Sequence, residues 1–239
     1  MVTGGSRGIG AATAHRAARD GWNVVLSYRT GADEAAAVVE SCRAEGAVAA
    51  AVQADVAVET EVVELFATLP PDAGPLRGLV NNAGVVAPRS RVADLDAGRV
   101  ERLLAVNVLG AFLCAREAVR VMSTTHGGAG GAIVNVSSRA AVLGAAGEYV
   151  DYAASKAAVD ALTTGLAAEV ATEGIRVNAV RPGLIETDIH EQGRLERLAP
   201  TVPMRRTGTA EEVAEAVCWL LSDAASYTTG TFLDVSGGR

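Results

Sequence analysis

Short runs of β-branched and aliphatic residues alternate along this chain with alanine-rich stretches long enough for helices. Residues 23–28, 47–52, 78–81, 132–136 and 176–180 read as strands, with a last short one at 231–235. Between them, 9–20, 31–45, 57–68, 99–122, 152–172 and 210–221 read as helices. Strands joined through helices cannot pair as tight hairpins; they lie parallel, and the helices cover both sheet faces. The expectation is an α/β, three-layer, doubly wound fold around a mostly parallel sheet. Aromatic residues are only 4% of the 239, so the core must be built from Val, Leu and Ala. No repeat, linker or composition break divides the chain, and one domain over 1–239 is expected.

Charge and cysteine usage exclude several roles. A formal net charge of -7 argues against nucleic acid, which needs a basic stripe. No apolar run reaches membrane-spanning length, and no hydrophobic leader precedes the glycine-rich start, so a cytoplasmic location is expected. Cys42, Cys114 and Cys218 are odd in number and widely spaced, which suits small buried side chains better than disulfides. His15, His126 and His190 share no ligand spacing, and no metal is expected.

Thr3-Gly4-Gly5-Ser6-Arg7-Gly8-Ile9-Gly10 follows a strand remnant and opens a helix. Glycines at such a turn allow positive φ, close approach of backbone to a pyrophosphate, and tight packing of helix on strand. The helix N-terminus then offers free N–H groups to phosphate oxygens. Only Val2 and Thr3 form the remnant. Either the central strand is very short, or residues usual upstream are absent from this sequence. The second strand ends at Ser27-Tyr28-Arg29, with no carboxylate to accept from an adenosine ribose. Arg29 and Arg7 can instead bracket a 2′-phosphate, which favours NADP(H), with NAD(H) the alternative. Asp55, after the third strand, suits either an adenine edge or a helix N-cap.

Tyr152 and Lys156 stand four apart, on one helical face and about one turn of rise from each other. A phenol titrates near 10, and a fixed ammonium beside it favours the phenolate. Lys156 is the only lysine, against twenty arginines. Tyr149, seven positions before it, reads as packing or pocket wall. Ser138 closes the 132–136 strand, where an open α/β sheet places its ligand crevice. Its hydroxyl suits an oxyanion-stabilising donor. Asn107 lies in an apolar helix and, if buried, must be hydrogen-bonded, to backbone or to a relay water.

Taken together, TGGSRGIG at 3–10, NNAG at 81–84, Asn107, Ser138, YAASK at 152–156 and Pro182-Gly183 with Thr187 resemble the short-chain dehydrogenase/reductase family, in its order and across nearly the whole chain. The nearest likeness is to bacterial sugar dehydrogenase-like and 3-oxoacyl-carrier-protein reductase-like members. The resemblance implies a Rossmann fold with a seven-stranded parallel sheet and a homotetramer or homodimer. It implies a catalytic set of Asn107, Ser138, Tyr152 and Lys156. It also implies a nucleotide held by Gly4, Ser6, Arg7, Gly8, Ile9, Gly10, Arg29, Asp55, Val56, Asn82, Ala83, Gly84, Tyr152, Lys156, Pro182, Gly183, Ile185 and Thr187. Two departures stand out: the truncated first strand, and a 138–152 loop about one residue longer than in many acyl-carrier-protein reductases.

The implied reaction is reversible reduction of a small-molecule carbonyl to an alcohol. Residues 184–206 are dense in charge and read as a substrate lid, with His190 more easily a lid or interface residue than a substrate contact. Three alternatives remain: a 3-oxoacyl-[acyl-carrier-protein] reductase, a sugar 1-dehydrogenase of the glucose type, or a noncatalytic nucleotide-binding or scaffolding protein. The first would need a basic docking patch, for which Arg102, Arg116, Arg120 and Arg139 are candidates.

Overall fold

Six strands lie among the described residues of the computed structural model, which are 1–187 and 193–239. They are β1 (Val24–Tyr28), β2 (Ala49–Gln53), β3 (Gly78–Asn81), β4 (Gly131–Val136), β5 (Ile175–Pro182) and β6 (Phe232–Val235), and every pairing is parallel. The pairs β1–β2 and β3–β4–β5–β6 are joined through Val2, which bridges Leu26 on one side and Val80 on the other. Val2 N–H donates to the Val25 carbonyl (2.8 Å), Ser27 N–H to that of Val2 (2.9 Å), and Thr3 N–H to that of Val80 (3.0 Å). The expected seventh strand is thus a single rung in the middle of the sheet. The Rossmann order survives because one residue suffices to bond both neighbours.

Alternation along each strand sorts side chains between two cores. Val24, Leu26, Val80, Val134 and Val180 face α1 (Gly8–Arg19), α2 (Ala32–Ala44) and α9 (Ala210–Leu221). Val25, Leu79, Ile133 and Val177 face α3 (Glu59–Ala67), α5 (Gly110–Met122) and α7 (Val150–Glu169). The three layers are therefore helix, sheet, helix. All three cysteines are buried and free, and burial pushes the Cys114 and Cys218 thiols up to about 12. No described helix is long and apolar enough to cross a membrane, and no described cluster of His, Cys, Asp and Glu could hold a metal.

The one long helix expected over 99–122 is broken. It divides into α4 (Ala97–Leu104), a π-turn over Ala105–Leu109, and α5. The break has a chemical reason in Asn107, described below. The 138–152 connection contains a short helix, α6 (Ala140–Leu143), and α8 (Arg194–Leu198) lies within the 184–206 segment. Asp188, His190 and Glu191 of that segment lie outside the described residues.

Candidate active site

Parallel strands put their C-terminal ends on one edge of the sheet, and a cleft of about 480 Å³ opens along that edge. Its walls include Gly4, Ser6, Arg7, Gly8, Ile9, Arg29, Asp55, Val56, Asn82, Ala83, Gly84, Ser138, Tyr152, Lys156, Pro182, Gly183, Ile185 and Thr187. Nearly the whole expected set is brought together. Gly10 and Asn107 are the exceptions. A Cβ on Gly10 would collide with the Gly4 carbonyl and lie 2.6 Å from Asn82 Nδ2, so Gly10 shapes the turn from behind.

The turn itself is fastened to the end of β3. Gly4 and Gly8 take φ of +63° and +54°, where a side chain would be strained. Asn82 Nδ2 donates to the carbonyls of Thr3 (2.9 Å) and Gly4 (3.0 Å), so its amide holds the loop rather than pointing into the cleft. Arg7 and Arg29 are exposed at the cleft wall, beside Asp55. Asp55 Oδ1 accepts from Ala57 N–H (3.0 Å) and Oδ2 from Arg102 Nη2 (2.9 Å). Desolvation would raise this carboxyl, but the Ala57 N–H and the Arg102 guanidinium outweigh it and hold it below the usual carboxylate range. Helix α3 begins only at Glu59, with Val58 before it, so Asp55 is a local turn former and not an N-cap.

At the other end, α7 carries Tyr152 half-buried and Lys156 buried. The Tyr152 phenol and the Ser138 hydroxyl line the same cleft, and Ser138 acts to lower the phenol's pKa. Lys156 Nζ donates to the Val136 carbonyl at 2.7 Å and lies 5.8 Å from the centre of the Tyr152 ring. Desolvation pulls the ammonium down to about 8, against a weaker opposing pull from Asp160. The phenol moves the other way: desolvation raises it and the nearby Ser138 side chain offsets this only in part. The expected phenolate-favouring effect of Lys156 is not what sets Tyr152 here, because the ammonium is directed at a strand carbonyl and burial dominates.

Asn107 sits 1% exposed inside the π-turn. Its Oδ1 accepts from Val85 N–H (2.8 Å), and its Nδ2 donates to the Val85 carbonyl (2.9 Å) and to Ser155 Oγ (3.0 Å). Ser155 in turn donates to the Tyr152 carbonyl (2.7 Å). The amide therefore ties the segment after β3 to the turn that carries Tyr152. A methyl on Gly84 would lie 3.4 Å from both Asn107 Oδ1 and Lys156 Nζ, so Gly84 lies against both side chains.

The sequence did not show which partners several cleft residues take. Arg139 donates through Nε to the Arg239 carbonyl (2.6 Å) and pairs with Asp234 (2.5 Å). Arg194, 9% exposed, pairs with Glu148 (2.6 Å) and stacks over Tyr149, 4.8 Å from the ring centre. Tyr149 is thus both packing and pocket wall. These contacts join positions 45 or more apart, which no local pattern reports.

A Rossmann sheet with a glycine turn at one end of its cleft and a Ser, Tyr, Lys constellation at the other defines a dinucleotide-dependent oxidoreductase of the short-chain type. The sequence family described as enoyl-(acyl carrier protein) reductase matches residues 4–239. The chain is 52% identical to the uncharacterized oxidoreductase YgfF of Escherichia coli, over 100% of this chain and 98% of that protein. It is 38% identical to a 3-oxoacyl-[acyl-carrier-protein] reductase of Synechocystis, over 100% of this chain and 95% of that one. A solved mutant of a Serratia marcescens short-chain dehydrogenase/reductase superposes with a TM-score of 0.92 at 36% identity, covering 99% of this chain and 95% of that one. The chain belongs to the short-chain dehydrogenase/reductase family and is an oxidoreductase.

Proposed function

We propose that this oxidoreductase transfers a hydride between NADP(H) and a small-molecule carbonyl or secondary alcohol. The reading is carried by Ser138 and Tyr152 in one cleft wall, with Lys156 buried one turn further along α7, in the cleft that the glycine turn opens. The residues present fit a dinucleotide. Backbone at Gly8 opens α1 toward the cleft, and a Cβ there would fill the cradle, 3.3 Å from Thr187 Cγ2. Gly4, Ser6, Gly8 and Ile9 would hold the pyrophosphate, Arg7 and Arg29 a 2′-phosphate, and Asp55 and Val56 the adenine. Ala83 and Gly84 would line the ribose, and Pro182, Gly183, Ile185 and Thr187 the nicotinamide. NAD(H) is the alternative cofactor.

When bound, the cofactor supplies the hydride. Ser138 Oγ holds the substrate oxygen, and Tyr152 Oη gives that oxygen its proton as charge develops on it. A phenol held above its ordinary pKa stays protonated at neutral pH, as reduction requires. An ammonium has three N–H donors, and the Val136 carbonyl takes one. Another is left for the nicotinamide ribose. Asn107 is a positioning residue. The 184–206 segment closes over substrate as a lid. A homotetramer or homodimer is supported by Leu104, Leu109 and Phe112, which are 41–49% exposed on and around the π-turn.

A second reading, 3-oxoacyl-[acyl-carrier-protein] reductase, takes support from relatives of that name. The candidate docking arginines weaken it. Arg102 is paired with Asp55, Arg116 with Glu59 and Glu117, Arg120 with Glu117, and Arg139 with Asp234. Initial rates of NADPH and NADH oxidation against keto sugars, diketones, quinones, aryl ketones and acetoacetyl thioesters test the proposal. Turnover that collapses in Tyr152→Phe is the expected result. Turnover that survives this change would refute the assigned mechanism.

A further inference from the structure

Next to Ser138 and Tyr152 the cleft is walled by segments that hold one another in place. Val85 and Val86 follow β3, and the N–H of Ser90, in the same stretch, donates to the Glu148 carbonyl (2.9 Å). Helix α6 comes directly after Ser138 and packs against α7. It stops at Gly144, which is left-handed at φ +77°, and Ala145 takes the same region at +48°. The Ala145 carbonyl accepts from the N–H groups of Glu148 (3.1 Å) and Tyr149 (3.0 Å), which fastens the turn to the start of α7. A left-handed alanine is strained, and strain of this kind persists in a cleft wall only where the surroundings impose it.

The aliphatic residues of these walls are Val85, Val86, Leu143, Ala145 and Leu184. Leu143 is 50% exposed and its neighbour Val142 56%. Two adjacent large aliphatic side chains open to water beside a cleft leave apolar surface for a ligand to cover. The charged neighbours are engaged within the protein. Glu148 pairs with Arg194 (2.6 Å), Arg139 with Asp234 (2.5 Å), and Arg139 Nε donates to the Arg239 carbonyl (2.6 Å). The Leu143 surface, by contrast, is left half uncovered by the described residues.

We infer that the preferred substrate is a ketone bearing an apolar alkyl or aryl group, its carbonyl at Ser138 and Tyr152 and its hydrocarbon against Leu143. Leu143 is then a specificity-determining residue. This inference rests on the reductase reading above and names its substrate class. Hydrocarbon moved from water onto such a wall gains transfer free energy in proportion to the area covered, with no directional demand.

Initial rates with 2-butanone, 2-pentanone, 2-hexanone and 2-heptanone lengthen the hydrocarbon one methylene at a time. Erythrulose puts hydroxyls on the chain of 2-butanone. Levulinate sets a carboxylate where 2-hexanone has hydrocarbon, and so tests whether Arg239, also in the cleft wall, takes a charged tail. The expected result is that kcat/KM rises about two- to fourfold per methylene, the size of one buried CH2, and exceeds that for the sugar and the acid. Leu143→Ala should cut the ratio of 2-heptanone to 2-butanone by about fivefold, and Leu143→Phe should keep it. Leu143 is half exposed, so both variants should fold, which a thermal melt reports; the series on the natural protein stands without them. A flat series, a preference for erythrulose or levulinate, or a ratio unchanged in the folded variants would overturn the apolar site. Each of these outcomes still shows a carbonyl being reduced and leaves the reductase reading standing. Reduction of no carbonyl compound at all, here or in the wider panel, overturns both.

Discussion

Thr3 Oγ1 accepts hydrogen bonds from the backbone N–H groups of both Asn82 and Ala83, at 3.0 Å each. One hydroxyl thereby joins the glycine turn to the end of β3. Thr3→Val keeps the shape and removes the acceptor, leaving the Ala83 N–H unpaired. Stability should fall by about 1–3 kcal/mol in urea unfolding, and the dissociation constant for dinucleotide should rise in fluorescence titration. A variant as stable and as tight as the parent would remove this fastening from the account.

The buried ammonium of Lys156 opposes folding. Its folded pKa of about 8 against an ordinary 10.5 corresponds to about 3 kcal/mol when protonated. Lys156→Met should therefore raise stability near pH 7 by about 2 kcal/mol, after the lost bond to Val136 is counted, while removing turnover. The sign can be checked with pH. Between about 8 and 10.5 the unfolded chain binds the extra proton, so the natural protein gains stability with rising pH and the variant's advantage fades. Melting curves at pH 7 and pH 10 measure this directly.

Arg29 is exposed, so its attraction to a 2′-phosphate is screened by solvent and salt. Arg29→Ala should raise KM for NADPH by about three- to tenfold and leave KM for NADH nearly unchanged. Equal effects on the two cofactors would point to the turn rather than the phosphate.

Asn107→Ala removes the partner of both the N–H and the carbonyl of the half-buried Val85. The expected loss is about 2–4 kcal/mol of stability, with kcat falling further than KM rises. Asn107→Asp keeps one acceptor and should fall between the two.

How much of this was legible in the sequence depends on the range of each interaction. β3 at Gly78–Asn81 and α9 at Ala210–Leu221 were read to the residue, because each is set by neighbouring residues; the structure adds a capping box at Thr209 that fixes where α9 starts. The α3 start was missed by two residues, since the Asp55 turn precedes it. The Tyr152 to Lys156 spacing announced the site. The burial that sets both groups' proton affinities did not show, because it depends on β4 and on Ser138 beyond the helix. The Arg194, Glu148 and Arg89 cluster was invisible for the same reason: its charges come from three separate segments.

The π-turn over Ala105–Leu109 has a geometric meaning of its own. A helix that holds one residue more than its rotation requires changes phase there, by about 100° on the ordinary helical count. The stretch before it aims Arg99 at Asp151, and the stretch after it aims Leu113 and Cys114 into the core. Deleting one residue would smooth the helix, yet it would swing one of these two faces out of alignment. The surplus residue works as a phase shifter, and Asn107 points inward because of it.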